Sequence, residues 1–289
     1  MAERDKLPYV GLSGVSGALQ QRSVELLWDT LRTPERRLLL GVKAVHNTQW
    51  LDRPNKYGTS WYPVGAQAFS EALLPKGESY GVAQMYLDPA TIAENSDYPR
   101  EFVDRVMERG RRWLNGIQFD MLPYDETEPG QWRELFEHIH HHKLDVILQC
   151  HKRAMQAGPE GAVEQIKTLG KVDYILFDAS HGKGVEMDPE ALLPFLDLAH
   201  RDRTLAANHT SFGVAGGLSE ARVRRHLPRI VSEFPDTSWD AEGQLHPAPV
   251  RSVNHDTGEE IWSIASKGAL NTGLAWQYMQ ASVDVIKAK

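Results

Sequence analysis

The sequence predicts a single (β/α)8 barrel spanning residues 1–289, and three observations lead there. Eight short apolar runs alternate with longer stretches of helical periodicity, the order that a parallel sheet with crossover helices requires. Eight such units in 289 residues favour a closed barrel over an open sheet. The dinucleotide fingerprint of an open sheet is missing, since Gly11, Gly14 and Gly17 follow a G-x-x-G-x-x-G spacing. No internal repeat, linker or shift in composition marks a second domain.

The units run in order along the chain. Residues 8–14 (PYVGLSG) form the first strand, followed by an amphipathic segment from Gln20 to Leu31. Residues 38–44 (LLLGVKA) form the second, with an extended polar and aromatic loop at 46–63 after it. Residues 80–87 (YGVAQMYL) form the third, with a helix from about Arg100 to Leu114. The fourth strand is 116–122 (GIQFDML), with a helix from Gln131 to His142. The fifth is 145–150 (DVILQC), with a helix over 161–169. The sixth is 174–179 (YILFDA), with a helix over 190–200. The seventh is 212–216 (FGVAG), with a helix over 220–234. The eighth, at 237–240, is the weakest, and a final helix runs over 268–286.

Composition narrows the function classes. Hydrophobic residues make up 41% and charged residues 25%, ordinary for a globular protein. A net charge of −7, with acids around the basic run Arg109, Arg111 and Arg112, argues against nucleic acid as a partner. The one cysteine, Cys150, allows neither an intramolecular disulfide nor a cysteine zinc cage. Residues 1–6 are polar, and no apolar run approaches the ~20 residues of a membrane span. The expectation is a cytoplasmic protein without membrane attachment. The sequence calls for no cofactor and leaves a homo-oligomer open, with no exposed apolar stripe to name an interface.

Chemistry in a barrel sits where strands end. The polar residues at those ends are Ser13, Lys43, Asp88, Asp120, His151, Asp178, His181 and Asp240. A helix cap or a satisfied loop explains any one of them as well as catalysis does. The sixth unit is the most informative. Asp178 ends an apolar strand, where partial desolvation suits a carboxyl to proton donation. Gly182 and Gly184 let backbone approach a ligand, and Lys183 is placed to meet an anion. In the seventh unit Gly216 and Gly217 precede a helix with Ser219 as expected N-cap, so free N–H groups there form an anion site. Lys43 reads first as a phosphate contact.

These segments carry a family resemblance. Phe177-Asp178 followed by Gly182-Lys183-Gly184 is similar to the sixth-strand region of phosphoribosylanthranilate isomerases. Val214-Ala215-Gly216-Gly217-Leu218-Ser219 resembles their seventh-strand phosphate loop. Gly116-Ile117-Gln118-Phe119 and the opening Gly11-Leu12-Ser13-Gly14 resemble their fourth and first strands. The resemblance implies a barrel that opens a phosphorylated ribosylamine and moves a proton to make an aminoketose. It places the general acid on Asp178. The family's base is a first-strand cysteine, and Ser13 stands there instead. A serine hydroxyl does not serve as a base unaided, which makes an altered activity the expectation. Asp240-Ala241-Glu242-Gly243 replaces the family's serine-rich phosphate turn, and an inward Glu242 would repel phosphate.

The reading is an isomerase-like or lyase-like enzyme on a small anionic, carbohydrate-related substrate. Asp178, Ser13 and His151 are its catalytic candidates. Gly216, Gly217, Lys183, Gly184 and Lys43 are its substrate or phosphate contacts, with no metal. One rival is a metal-dependent hydrolase or aldolase using His151, Asp178 and His181, with His209 near a strand end as well. A Schiff-base aldolase on Lys43 or Lys152 is another. A barrel that binds a ligand without turnover is the third. His138, His140, His141 and His142 read as the polar outer face of a helix.

Overall fold

Strands β1 (Tyr9–Ser13), β2 (Arg37–Val45), β3 (Tyr80–Tyr86) and β4 (Gly116–Asp120) pair in sequence order, each parallel to the next. β5 (Asp145–His151), β6 (Tyr174–Asp178), β7 (Ser211–Ala215) and β8 (Ser238–Ala241) continue the series, and β8 pairs back onto β1. The sheet is a closed eight-stranded barrel. This computed structural model describes residues 6–31, 33–54, 62–74, 79–110, 113–120, 129–178, 186–246, 248–253, 260–265 and 268–288, the side chains of 152–153, 248–253 and 260–265 apart.

Helices ring the barrel: α1 (Ala18–Leu31), α2 (Gly65–Leu73), α3 (Pro89–Glu94), α4 (Tyr98–Gly110), α5 (Pro129–His141) and α6 (Lys152–Met155). α7 (Gly158–Thr168), α8 (Pro189–Arg201), α9 (Arg203–Ala207), α10 (Glu220–Glu233) and α11 (Thr272–Lys287) complete the layer. Their starts follow from local chemistry. Asp88, Asp188 and Asp202 cap α3, α8 and α9 by accepting backbone N–H bonds, and Asn271 does so for α11. Among the described residues, no helix is long and apolar enough to cross a membrane.

Each expected strand is present, and four helices, α2, α3, α6 and α9, and a hairpin after β8 were not expected. α2 has no side-chain cap, and Gly65 begins it at φ +78, so no start signal marks it in the sequence. After β8, β9 (Ala248–Val253) and β10 (Glu260–Ala265) form an antiparallel hairpin. EIWSIA is a strand-like run, but a count of eight parallel units leaves it no place. The loop after β2 begins as a π-helical turn, His46–Trp50. Trp50 packs edge-on against Tyr98 and Phe102, so this part of the loop folds onto α4.

Side chains alternate between the two faces of each strand. Outward residues form the large apolar layer under the helices, where buried Trp239 donates Nε1–H to Ser282 Oγ of α11 at 3.0 Å. Inward residues near the strand starts form a separate cluster of Tyr9, Leu39, Tyr80, Val82, Ile147, Tyr174 and Leu176, the floor of the barrel. The Arg37 guanidinium lies 3.8 Å over the Tyr80 ring and donates to the Tyr174 hydroxyl, closing this N-terminal end. Below it, Asp173 takes Lys6 Nζ at 2.7 Å, His140 Nε2 at 2.7 Å and the Val146 N–H at 2.7 Å. Burial alone would push Asp173 up, but these hydrogen bonds and the Lys6 charge outweigh it and hold its carboxyl at about 2.

Candidate active site

Above the floor the inward positions turn polar. Ser13 ends β1, Lys43 lies on β2, Gln84 and Tyr86 on β3, and Gln118 and Asp120 on β4. Gln149 and His151 follow on β5, Asp178 ends β6, and Asp240 lies on β8 with Glu242 just beyond. Strand register aligns His151 with Asp178, Asp178 with Ala215, Ala215 with Asp240 and Asp240 with Gly11. These polar strand ends therefore meet at the C-terminal mouth, where barrels carry their chemistry.

Two amide-led chains organise the mouth. Gln84 Nε2 donates to Ser13 Oγ, which lies 2.9 and 2.7 Å from the two Asp240 carboxylate oxygens. Gln118 Nε2 donates to Gln149 Oε1 at 3.3 Å, and Gln149 Nε2 donates to Asp178 Oδ2 at 2.6 Å. Each chain ends on a carboxylate. Gln84 Oε1 and Gln118 Oε1 are buried and have no hydrogen-bond partner among the described residues. Missing side chains make room for the first chain. A Cβ on Gly11 would stand 2.7 Å from Asp240 Oδ1, and one on Gly41 would stand 2.7 Å from Gln84 Cδ and 3.0 Å from Ser13 Oγ.

Lys43 is fully buried, pairs with Glu242 Oε1 at 2.6 Å and donates to the Tyr86 hydroxyl. Burial works against its charge, but Glu242, Asp120 and Tyr62 outweigh it and raise Lys43 above its ordinary value. A protonated amine is no nucleophile, so the pairing argues against a Schiff base at Lys43. Burial pushes Asp120 up to about 6, with Lys43 and the Tyr86 hydrogen bond opposing and Glu242 and Asp178 adding. It pushes Asp240 up to about 7, with the Ser13 hydrogen bond and Lys43 opposing and Glu242 and Asp120 adding. Two carboxyls thus change charge near neutrality on strands that also frame a buried ammonium.

The residues singled out from sequence separate into groups. Ser13, Lys43, Asp120, His151, Asp178 and Asp240 share the mouth and are all buried. Gly216 and Gly217 follow β7 at φ +123 and +57, a backbone that only glycine adopts readily. Arg222 Nη1 donates to Gly217 O at 2.6 Å, and Ser219 takes the N-cap position of α10 without a side-chain cap bond. Lys183, Gly184 and His181 lie outside the described residues, as do loop residues 55–61.

The expectation for His209 is corrected, and the other residues weighed from sequence take the following places. Asp88 caps α3, accepting from Thr91 N at 3.1 Å and from Thr91 Oγ1 at 2.5 Å. His209 precedes β7 rather than ending it, and its carbonyl accepts Lys6 Nζ at 3.0 Å, which places it at the opposite end of the barrel. Glu242 points inward but meets Lys43. His138 pairs with Asp104 at 2.6 Å and His140 with Asp173, on a helix outside the barrel. Among the described residues, no three His, Cys, Asp or Glu side chains are placed to hold a metal. Cys150 is buried on β5, and burial pushes its thiol up to about 12, with Asp178 adding.

Sequence reasoning missed Gln84, Gln118, Gln149 and the Lys43 partner Tyr86, and it weighed Glu242 only against phosphate, not as a partner of Lys43. A signal was there: VAQMY, GIQFD and ILQCH each carry a glutamine inside an apolar strand, at a position the two-residue alternation turns inward. His246 was missed too. It is buried after β8, with Nε2 2.7 Å from Ser13 O and Nδ1 3.0 Å from Gly268 O, and burial lowers its pKa.

No family model and no curated protein matches the sequence. Among solved structures, the chain is similar to active domain 2 of a thermostable chitinase from Pyrococcus furiosus, with TM-score 0.60 and 11% identity over 97% of this chain and 94% of that one. It is also similar to a mutant tryptophan synthase alpha-subunit from Pyrococcus furiosus, with TM-score 0.53 and 14% identity over 98% and 97%. A structure of native KDPGal gives 0.50 and 10% over 100% and 98%. At such identities the likeness establishes the barrel and nothing finer.

Proposed function

We propose that this barrel is a general acid–base enzyme, isomerase-like or lyase-like, acting at its C-terminal mouth on a small carbohydrate-related substrate with an anionic group. The observation that carries the reading is the pair of buried carboxyls, Asp120 at about 6 and Asp240 at about 7, beside the charged Lys43. Groups that change charge near pH 7 both take and return protons efficiently there. Asp240 also answers the difficulty posed by Ser13. The hydroxyl at the place of the family's base cysteine is hydrogen-bonded to Asp240, so the carboxyl supplies the basicity that serine lacks.

In this reading Asp178 is the general acid suggested by the resemblance to phosphoribosylanthranilate isomerases, with His151 aligned beside it. Gly216 and Gly217 present backbone N–H groups to the anionic end of the substrate, aided by Lys183 and Gly184. Lys43 stabilises negative charge on a substrate oxygen, exchanging Glu242 for it. The hydrolase or aldolase alternative with His151, Asp178 and His181 gains no independent observation, nor does a barrel without turnover.

The test is proton exchange. Phosphoribosylanthranilate and a panel of phosphorylated aldoses and ketoses are incubated in D2O, and deuterium wash-in beside the carbonyl is followed by NMR. Wash-in that falls at least ~100-fold in Asp240→Asn supports the reading. Exchange that persists in Asp178→Asn removes that residue as the acid. Wild-type protein that exchanges none of the panel overturns the proposal.

A further inference from the structure

We propose that Ser13 and Gln84 are positioning residues that set the proton on Asp240 through a hydrogen-bond chain able to run in either direction. The inference rests on reading Asp240 as the proton-transfer group. Ser13 Oγ has one proton and lies 2.9 and 2.7 Å from the Asp240 oxygens. Gln84 Nε2 donates to the same hydroxyl oxygen. With an amide N–H pointing at it, the hydroxyl sends its own proton to the carboxylate. The chain from Gln84 through Ser13 to Asp240 is therefore complete when Asp240 is ionised.

A protonated Asp240 reverses the requirement. It must donate to Ser13, whose proton then needs another acceptor. Gln84 Oε1 is that acceptor: it is buried, has no hydrogen-bond partner among the described residues, and belongs to the amide already at the hydroxyl. Turning the amide over exchanges its N–H for its carbonyl and satisfies the chain in the opposite direction. Gly41 leaves the space in which the amide sits, since a Cβ there would stand 2.7 Å from Gln84 Cδ. The other groups facing Asp240 are Tyr9 of β1, Lys43 of β2, Asp120 of β4, Glu242 after β8 and Tyr278 of α11. Their interactions with Asp240 are through-space charge effects, whereas the Ser13 hydroxyl bonds it directly.

The experiment is a carboxyl titration of the full chain with 13C-labelled aspartate, the Asp240 signal being assigned by its loss in Asp240→Asn. Removing a donor to the charged form raises the midpoint, so Ser13→Ala shifts it up by about one pH unit. Ser13→Thr keeps the hydroxyl and leaves the midpoint within a few tenths of wild type. Gln84→Met shifts it upward by about half a unit, because the hydroxyl loses the N–H that polarises it. A folded Ser13→Ala protein with an unmoved midpoint overturns the inference, as does Ser13→Thr moving as far as Ser13→Ala. If Ser13→Ala does not fold, an unmoved midpoint in Gln84→Met overturns it. The readout needs no turnover, so its failure is separate from failure of the proton-exchange test.

Discussion

At the N-terminal end of the barrel, Asp173 accepts an ammonium, an imidazole and a backbone N–H, and its carboxyl sits at about 2. At the C-terminal end, Asp240 accepts one hydroxyl and sits at about 7. Both are buried. The difference lies in the donors each has gathered. Asp145 supports this, because it lies at the Asp173 end but among the described residues accepts one side-chain hydrogen bond, from Tyr80, and burial raises it. A saturated carboxylate holds structure together, while an under-served one stays ready to take a proton.

The contrast can be broken at four points. The largest effect belongs to the floor: Tyr174→Ala removes a buried ring packed 5.3 Å from Tyr9 and costs about 4 kcal/mol in urea unfolding. A loss below about 1 kcal/mol would show that the floor is loosely packed. The next effect has the opposite sign. Asp240 is raised from 3.8 to about 7, so it stays protonated in the fold below that point, and stability falls as pH climbs from about 4 to about 7. Asp240→Asn removes the cost of the charge and stabilises by up to about 4 kcal/mol at pH 8, with no gain at pH 4. Equal gains at both values would deny that Asp240 is raised.

Asp173 is depressed from 3.8 to about 2, so its contribution is complete above pH 4 and is lost as pH falls through about 2. Asp173→Asn therefore costs about 2 kcal/mol at pH 7, and melts of the two proteins converge near pH 2. The smallest change is expected at Gln118→Leu, which removes an unpartnered buried oxygen along with one donor and alters stability by no more than about 1 kcal/mol. A larger loss would show that Gln118 Oε1 has a partner after all.

The barrel was readable because runs such as LLLGVKA and YILFDA are almost continuously apolar, as strands buried on both faces must be, and are separated by helical stretches. The positions of Ser13, Lys43, Asp178 and Asp240 at the mouth follow from strand ends alone. Their relations do not. That Ser13 meets Asp240 depends on closing β8 against β1, 227 residues apart, and on Gly11 yielding its side-chain space. No local pattern encodes that meeting. The weight placed on Asp178 came from its apolar strand end and glycine-rich turn and then from the resemblance, which drew attention from Asp240 although both lie at strand ends. His209 was misplaced because a histidine two residues ahead of a strand looks, in sequence, much like one just past another.

The solitary Cys150 has a practical consequence. Its thiol is buried on β5 and pushed up to about 12, so at neutral pH almost none of it is the reactive thiolate. An alkylating reagent reaches it only when the fifth strand is exposed, which turns the unmodified chain into its own clock for barrel opening. A molecule that bridges the mouth slows that clock. Candidate substrates can then be ranked by how long they delay labelling, before any reaction has been observed.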